Sequence, residues 1–303
     1  MVIKRNVNLA KFSTFKIGGR AEYFCIVKTP EDLLWVVLWA LERGLMYRVF
    51  AGGSNIVFPD EGFRGLLVQY NGVNIQVLPR RRLLVHAGTP LRDVISKSIS
   101  KKLSGLETLS GIPGTIGGAI VGNAGAYGHS IAEVVEKVEI WDGARCAWIA
   151  KNKCRFAYRD SILKYKPFLV LRAVLRFHRG NTKKLRGISR TIIKLRLKKY
   201  KPGLRCPGSF FKNVLVKNIS KRSLRMIPKE KIIDGKIPAG YLLEQVGAKG
   251  MKVGRIKIAD FHGNLFINQG GATAKDVKRL ARILKLKVYK KFKIQLEEEI
   301  RYF

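Results

Sequence analysis

The sequence predicts an α+β protein with a strand-rich N-terminal region and a smaller α/β region that begins near residue 180. Short runs rich in β-branched and aromatic residues recur between residues 47 and 178, with glycine turns between several of them. Residues 183–205 then change the composition, because they hold ten lysines or arginines and no acidic residue. A chain of 303 residues is long enough for two domains. We therefore predict domains over residues 1–180, the first of them in two lobes split near residue 70, and over residues 181–303.

The first predicted region alternates helices and strands. A helix is expected in "TPEDLLWVVLWALERG", because Pro30 suits a first turn, Glu31 and Asp32 favour the N-terminal end, and Gly44 ends the run. A second helix is expected in "PLRDVISKSISKKLSG", ending at Gly105. Strands are predicted in "YRVF", "NIVF", "FRGLLVQY", "GVNIQVLP", "RRLLVHAG", "VVEKVEIWDG", "RCAWIA" and "FLVLRAVLRFH".

The second predicted region begins with a basic amphipathic helix. Leu185, Ile188, Ile192 and Leu195 recur at helical spacing within residues 183–205, and the Pro–Gly pair at 202–203 ends the pattern. Further helices are expected in "AGYLLEQVG" and "TAKDVKRLARILKLKVYKKF", the latter capped by Thr273 with Asp276 three residues on. Strands are expected in "NLFINQGG" and in the terminal "KIQLEEEIRYF".

Charge is the most unusual feature of the composition. The chain has 59 lysines and arginines against 21 acidic residues, a formal net charge of +38. Such a surface attracts anions, from small phosphorylated molecules to nucleic acid and anionic lipid. The four cysteines and four histidines are scattered without a CxxC or HExxH pattern, so we expect reduced thiols, a cytoplasmic location and no metal site. No apolar run is long enough for a transmembrane segment, and the N-terminus has no signal core.

The stretch "SGIPGTIGGAIVGNAGAYG" has seven glycines among nineteen residues. Glycine weakens helices and strands, so this density needs a reason. A flexible linker would be richer in serine and less apolar, and Pro113 argues against a long, closely packed helix. The remaining interpretation is that backbone N–H groups in tight turns hold a phosphate or a cofactor. The shorter "AGGSN" (residues 51–55) suits the same task, although neither stretch matches the GxGxxG or GxxxxGK[ST] patterns.

These stretches belong to a longer pattern that resembles the UDP-N-acetylenolpyruvoylglucosamine reductase family. The resemblance runs from about residue 6 to residue 303 and rests on the ordered motifs "STFKIGG", "AGGSN", "LSGIPGTIGGAIVGNAGAYG", "YRDS", "GSFFKN", "HGNLFINQGGATAKDV" and "LEEEIR". Only a short stretch separates "YRDS" from the following strand, which resembles the shorter, second type of the family.

The resemblance implies an FAD-binding domain of the vanillyl-alcohol-oxidase (PCMH) type, followed by a C-terminal α/β substrate-binding domain. It also implies NADPH-dependent reduction of UDP-N-acetylglucosamine enolpyruvate to UDP-N-acetylmuramate in peptidoglycan precursor synthesis. Hydride passes from flavin N5 to C3 of the enolpyruvyl group, and C2 receives a proton. The implied FAD-binding residues are Gly52, Gly53, Ser54, Asn55, Ser110, Gly111, Ile112, Pro113, Gly114, Thr115, Gly117, Gly118, Asn123, Ala126 and Gly128.

Three catalytic residues are implied by the same resemblance. Arg159 of "YRDS" supports the substrate carboxylate, Ser209 of "GSFFKN" donates the proton to C2, and Glu299 of "EEEIR" polarises the carboxylate side or acts as an acid. Strand alternation alone favours Glu298, which falls among apolar residues of the predicted terminal strand, whereas the family pattern selects Glu299. Cys206 has no evident histidine partner, and we interpret it as structural.

Substrate contacts are implied for Tyr127, Tyr158, Lys199, Lys201, Lys212 and Asn213. The chain departs from the family pattern at Tyr200, where a lysine is usual, and at Val214, where a proline is usual. We expect a monomer that binds the enolpyruvyl UDP-sugar and NADPH, with no specific nucleic acid. The alternatives are an FAD oxidoreductase of the same fold with another substrate, and a basic protein that binds nucleic acid or a membrane surface.

Overall fold

A computed structural model describes all residues from Met1 to Phe303. The chain forms two compact units. The first unit consists of residues 1–7, 21–52 and 64–198, and the second consists of residues 8–20, 53–63 and 199–303. The second unit therefore contains two stretches from the N-terminal part of the chain. The assignment of residues 1–180 to FAD and residues 181–303 to substrate stays a prediction.

The chain has both helices and strands, and its largest sheet is antiparallel, which agrees with the predicted α+β class. The α-helices are α1 (Pro30–Glu42), α2 (Leu91–Ser100), α3 (Ile116–Gly122), α4 (Thr182–Lys199), α5 (Lys221–Arg225), α6 (Ala239–Glu244) and α7 (Ala274–Phe292). The strands are β1 (Ile3–Asn8), β2 (Arg20–Val27), β3 (Tyr47–Phe50), β4 (Ile56–Val57), β5 (Phe63–Tyr70), β6 (Ile75–Leu78), β7 (Arg82–His86), β8 (Leu103–Ser104), β9 (Gly125–Ala126), β10 (His129–Ser130), β11 (Val135–Trp141), β12 (Cys146–Ala150), β13 (Leu169–Arg176), β14 (His178–Arg179), β15 (Val214–Leu215), β16 (Lys236–Ile237), β17 (Lys252–Val253), β18 (Ile256–Ile258), β19 (Phe266–Asn268) and β20 (Arg301–Tyr302). None of the helices combines the length and apolar character needed to cross a bilayer.

The first unit contains two larger sheets. One has the strand order β1-β2-β5-β3, and α1 buries Leu33, Val36 and Ala40 against a core that includes Val68 of β5. Helix α1 begins as predicted, with Pro30 in its first turn and the Asp32 N–H donating to Thr29 Oγ1 at 3.0 Å. The other sheet is antiparallel, with the order β12-β11-β13-β7-β6. Helices α2 and α3 contribute to its core, which also includes Leu185 of α4.

The second unit has its own core around three phenylalanines. The rings of Phe210 and Phe266 stack with centroids 3.8 Å apart, and Phe211 packs edge-on against both. Phe15 and Val57 reach this core from the two N-terminal stretches. Helix α7 covers it with a stripe of seven buried residues.

The predicted cap of α7 is confirmed. The Asp276 N–H donates to Thr273 Oγ1 at 3.0 Å, and the Thr273 N–H donates to Asp276 Oδ2 at 3.1 Å. This reciprocal pair satisfies two donors that the first turn would otherwise leave without a helical partner.

Two predicted elements differ from the structure. Helix α2 ends at Ser100 rather than at Gly105, because Lys102 adopts a left-handed conformation (φ 57°) and the next two residues form β8, which pairs with β14. The terminal strand predicted over "KIQLEEEIRYF" shrinks to β20, which pairs in parallel with β4, and a single bridge between Glu298 and Phe211. The buried side chains of Ile294, Leu296 and Ile300 still produce the alternation that suggested a strand.

Candidate functional site

The glycine-rich stretch folds into a loop, a short helix and a hairpin, all in the first unit. The loop leads into α3, where Thr115 caps the helix by accepting the Gly118 N–H at 3.4 Å. Strands β9 and β10 then form a hairpin. Its two-residue turn consists of Tyr127 (φ 52°) and Gly128 (φ 82°), so Gly128 is explained by turn geometry. Tyr127 is half exposed at the turn.

Close backbone packing explains two more glycines in the first unit. The Gly117 N–H donates to the carbonyl of Ala87 at 2.8 Å, and a Cβ at Gly117 would lie 2.8 Å from the Ala87 Cβ. A Cβ at Gly52 would lie 3.2 Å from the Cα of Gly114. Gly52 of "AGGSN" therefore lies against the first part of the long glycine stretch, and side chains would push the two segments apart.

Gly118 has no such explanation within the protein. It is exposed, and a Cβ there would meet only Thr115 Oγ1, at 3.8 Å. Alanine would suit this helical position better than glycine. The N–H groups of Gly111, Gly114 and Thr115 nearby in the chain donate to no protein acceptor. An open approach to bare backbone with available donors fits the diphosphate or ring of a flavin nucleotide.

The side chains of several other expected FAD-binding residues are used by the fold itself. Ser110 is buried, with its hydroxyl 2.8 Å from that of Ser189, and Ile112 packs against the core. The buried Asn123 donates to the Ala157 carbonyl at 2.7 Å and accepts the Ala132 N–H at 3.3 Å. The polar side-chain groups of Ser110 and Asn123 are therefore already paired within the protein.

The "YRDS" loop packs onto the second half of the glycine stretch. Arg159 Nη2 donates to the Gly125 carbonyl at 2.6 Å, and Ser161 Oγ donates to the Val121 carbonyl at 2.7 Å. Arg159 has a left-handed backbone (φ 54°), and its guanidinium lies 5.5 Å from the centre of the Tyr158 ring. Arg80, Arg81 and Arg155 have the same backbone conformation, so it does not by itself mark a functional site.

In the second unit, residues 53–55 are tied to the N-terminal stretch and to the chain end. Gly53 (φ 61°) has no room for a side chain, because a Cβ would lie 2.0 Å from the Phe12 carbonyl oxygen. Thr14 bonds the carbonyls of Gly53 and Ser54, through its N–H and its hydroxyl. Asn55 Nδ2 donates to the Glu299 carbonyl at 3.0 Å.

The hydroxyl of Ser209 has a partner that sequence reasoning did not assign. Tyr200 Oη lies 2.8 Å from Ser209 Oγ, and both side chains are partly buried in the second unit. The only signal in the sequence was the departure from the family pattern at Tyr200. Lys199 lies 5.2 Å from the Tyr200 ring centre, and Lys201 lies 5.3 Å from the Phe261 ring centre.

The two neighbouring glutamates have different surroundings. Glu298 Oε1 pairs with Lys285 of α7 at 2.5 Å. Burial raises the pKa of Tyr302, and a hydrogen bond to Glu298 raises it further. The Glu299 N–H instead donates to the Phe210 carbonyl at 2.8 Å, so its backbone adjoins the residue after Ser209. Glu298 is thus engaged with Lys285, and Glu299 is nearer to Ser209 along the paired backbone.

The remaining candidates in the second unit have structural partners. Lys212 pairs with Glu297, and Asn213 Oδ1 accepts the Ala239 N–H at 3.1 Å. Burial raises the pKa of the Cys206 thiol, which disfavours the reactive thiolate. No group of three or more histidine, cysteine or acidic side chains could hold a metal ion.

Comparisons with known proteins match both parts of the chain. A family model described as "FAD binding domain" matches residues 21–145, and one described as "UDP-N-acetylenolpyruvoylglucosamine reductase, C-terminal domain" matches residues 200–303. A UDP-N-acetylenolpyruvoylglucosamine reductase from Solibacter usitatus is 38% identical over 303 residues, covering 100% of this chain and 97% of the relative. One from Geotalea uraniireducens is 33% identical over 301 residues, covering 99% and 93%.

A solved structure also matches the whole chain. The crystal structure of the UDP-N-acetylenolpyruvylglucosamine reductase from Thermus caldophilus has a TM-score of 0.77 and 29% sequence identity. The match covers 100% of this chain and 99% of that one. The α+β fold class predicted from the sequence is therefore confirmed.

Proposed function

Because the chain belongs to the UDP-N-acetylenolpyruvoylglucosamine reductase family, we propose that it reduces UDP-N-acetylglucosamine enolpyruvate to UDP-N-acetylmuramate with FAD and NADPH. The observation that carries the proposal is the 38% identity to a reductase of this name over the full chain. Both substrates are anions, which the strongly basic surface attracts. The proposal includes action as a monomer in the cytoplasm, where such nucleotides are available.

The backbone groups proposed to hold FAD lie in and just before the first turn of α3. Gly118 leaves an exposed position without a side chain, and Gly111, Gly114 and Thr115 offer N–H donors to phosphate oxygens. Bound FAD supplies the hydride for the enolpyruvyl double bond after reduction by NADPH.

Arg159 is proposed to hold the substrate carboxylate. A guanidinium binds a carboxylate through two parallel hydrogen bonds and stays charged, so it also stabilises the negative charge that develops there during reduction. The hydrogen bond from Nη2 to the Gly125 carbonyl fixes the direction of the side chain. Glu299 is proposed to act on the same carboxylate side.

Ser209 is proposed to give its proton to C2 of the substrate. A serine hydroxyl is a weak acid, so this role needs a strongly basic acceptor and a fixed geometry. Tyr200 supplies the fixed geometry, because its phenol lies within hydrogen-bond distance of Ser209 Oγ. Tyr127, Tyr158, Lys199, Lys201, Lys212 and Asn213 are proposed to contact the rest of the substrate.

The proposal is tested by measuring the two half-reactions of Ser209→Ala separately. Reduction of bound FAD by NADPH should keep its normal rate, since the hydroxyl takes no part in it. Reoxidation by the enolpyruvyl UDP-sugar should slow by about a hundredfold or more, the usual contribution of a positioned acid. Equal loss in both half-reactions would remove the role of Ser209. A wild-type chain that takes up no FAD would refute the proposed function as a whole.

A further inference from the structure

The outward face of α4 is a strongly positive surface of the first unit. The helix holds eight lysines and arginines and no acidic residue over eighteen positions. Only Leu185 and Ile192 are buried, so most of the helix circumference faces solvent. Lys183, Arg190 and Lys194 are exposed and project from the same side, because they are spaced seven and four residues apart.

These charges are not neutralised within the protein. Lys183, Arg190 and Lys194 make no ion pair. Helix α7 of the second unit is also rich in lysine and arginine, but its Lys285 pairs with Glu298 and it contains Asp276. The outward face of α4 is therefore an unpaired row of cations, whereas α7 is partly compensated.

The turns next to the start of α4 extend the row. The Gly180 N–H donates to the Lys102 carbonyl at 2.8 Å, which brings the end of α2 beside the first turn of α4. Lys101, Lys102 and Arg179 are exposed there. We define the α4 basic face as Lys101, Lys102, Arg179, Lys183, Arg186, Arg190 and Lys194.

Apolar side chains accompany the cations at the C-terminal end of the helix. Ile193, Leu195 and Leu197 are 39%, 46% and 48% exposed, on either side of Lys194. Helices that lie on a bilayer combine such side chains with a row of lysines and arginines. Single-stranded nucleic acid is bound instead with aromatic side chains, and α4 has none.

We propose that the α4 basic face binds the surface of membranes that contain anionic phospholipids, with Ile193 and Leu197 entering the boundary between headgroups and acyl chains. Cations near an anionic bilayer are attracted through its surface potential, and apolar side chains add burial. A helix of eighteen residues is about 27 Å long, enough to lie across several headgroups.

The experiment is sedimentation of the full-length protein with vesicles at about 0.15 M salt, where long-range attraction is screened. Vesicles of phosphatidylcholine with about one-third phosphatidylglycerol should retain the protein, and pure phosphatidylcholine vesicles should not. The triple variant Lys183→Glu, Arg190→Glu, Lys194→Glu should bind the mixed vesicles at least about tenfold more weakly. A neutral triple with glutamine at the same positions provides a second variant should the charge reversal prevent folding.

The matched control places the same change of charge on α7. Arg282, Lys287 and Lys290 are exposed, and Arg282→Glu, Lys287→Glu, Lys290→Glu alters the net charge equally. This control should change vesicle binding less than about twofold. Equal losses for the two triples would overturn the proposal, because binding would then depend on total charge. Absence of vesicle binding by the wild-type chain would overturn it as well.

A second comparison separates lipid from nucleic acid as the partner. Ile193→Ser with Leu197→Ser should weaken binding to the mixed vesicles several-fold and leave binding to a single-stranded RNA oligonucleotide unchanged. If the α4 charge reversal abolishes RNA binding but leaves vesicle binding intact, the face is a nucleic-acid surface and the lipid proposal fails.

Discussion

The hydroxyl of Ser209 and the phenol of Tyr200 lie 2.8 Å apart, although the sequence assigned a role only to the serine. The resemblance to a family identified Ser209 through a short motif, and the same pattern marked Tyr200 as a departure. Whether two side chains nine positions apart meet depends on the irregular chain between them, which contains Pro202 and Gly203. No local propensity specifies such a path.

We predict that Tyr200→Phe slows reoxidation of the reduced enzyme by substrate about tenfold, because the Ser209 hydroxyl loses the hydrogen bond that orients it. Reduction of FAD by NADPH should be unchanged. Single-turnover kinetics of the two half-reactions, with the pH dependence of the second, provide the measurement. A variant with wild-type rates at every pH would show that Tyr200 does not position Ser209.

His262 provides a second prediction for a single residue. Burial, aided by the Lys199 cation and opposed by Glu244, lowers the pKa of this histidine to about 4. The unfolded chain has the ordinary histidine pKa of about 6.5, so it binds a proton more readily than the folded chain. The contribution of neutral His262 to the free energy of unfolding is therefore complete above about pH 6.5 and is lost as the pH falls towards about 4.

Between about pH 7.5 and pH 5, this histidine should remove about 2 kcal/mol from the free energy of unfolding. Urea denaturation of the wild type and of His262→Gln at both pH values isolates the effect, because the carboxylates titrate in both proteins. The wild type should lose more stability than the variant. Parallel losses in the two proteins would contradict the pKa shift.

At the scale of elements, the sequence predicted the presence of most helices better than the positions of their ends. The periodic apolar positions of α1, α4 and α7, with the N-terminal signals of α1 and α7, were sufficient to predict these helices, because each buries apolar residues against a core. Helix α3 was not predicted, because three of its seven residues from Ile116 to Gly122 are glycine, which disfavours a helix. The four residues between Ser100 and Gly105 were placed in the helix, although two of them pair with β14.

Two adjacent glycines of α3 separate packing from cofactor binding. Gly117→Ala should lower the free energy of unfolding by about 1–3 kcal/mol, because its Cβ would lie 2.8 Å from the Ala87 Cβ. Gly118→Ala should leave stability unchanged or raise it by up to about 1 kcal/mol, as expected for a helical position with open space.

Gly118→Ala should nevertheless weaken FAD binding about tenfold if the cofactor approaches the bare backbone there. Denaturation of the FAD-free protein and fluorescence titration with FAD give the two quantities for each variant. Wild-type FAD affinity in Gly118→Ala would exclude Gly118 from the cofactor site.

At the scale of the whole molecule, charge opposes compactness. A formal charge of +38 places many like charges on one chain, and their repulsion is greatest at low ionic strength. Composition alone predicts this property. Composition does not predict which residues belong to which compact unit. The short N-terminal stretches that join the second unit have no compositional feature that distinguishes them from their neighbours.

We predict that the thermal unfolding midpoint rises by several degrees when sodium chloride increases from about 0.02 M to about 0.3 M, since salt screens the repulsion. Circular dichroism melts at constant pH provide the measurement. Sodium perchlorate and sodium chloride should act alike at low concentration if screening is the cause. A midpoint that falls or stays constant would mean that attractive ion pairs outweigh the repulsion.

The second unit takes Phe15 and Val57 from the beginning of the chain and pairs β4 with β20 near its end. During translation, these early residues leave the ribosome long before the partners that enclose them. The second unit can therefore close only after synthesis is nearly finished. A fragment that starts at residue 200 would expose the phenylalanine cluster, so separate expression of the C-terminal part should yield aggregates unless residues 8–20 and 53–63 are supplied.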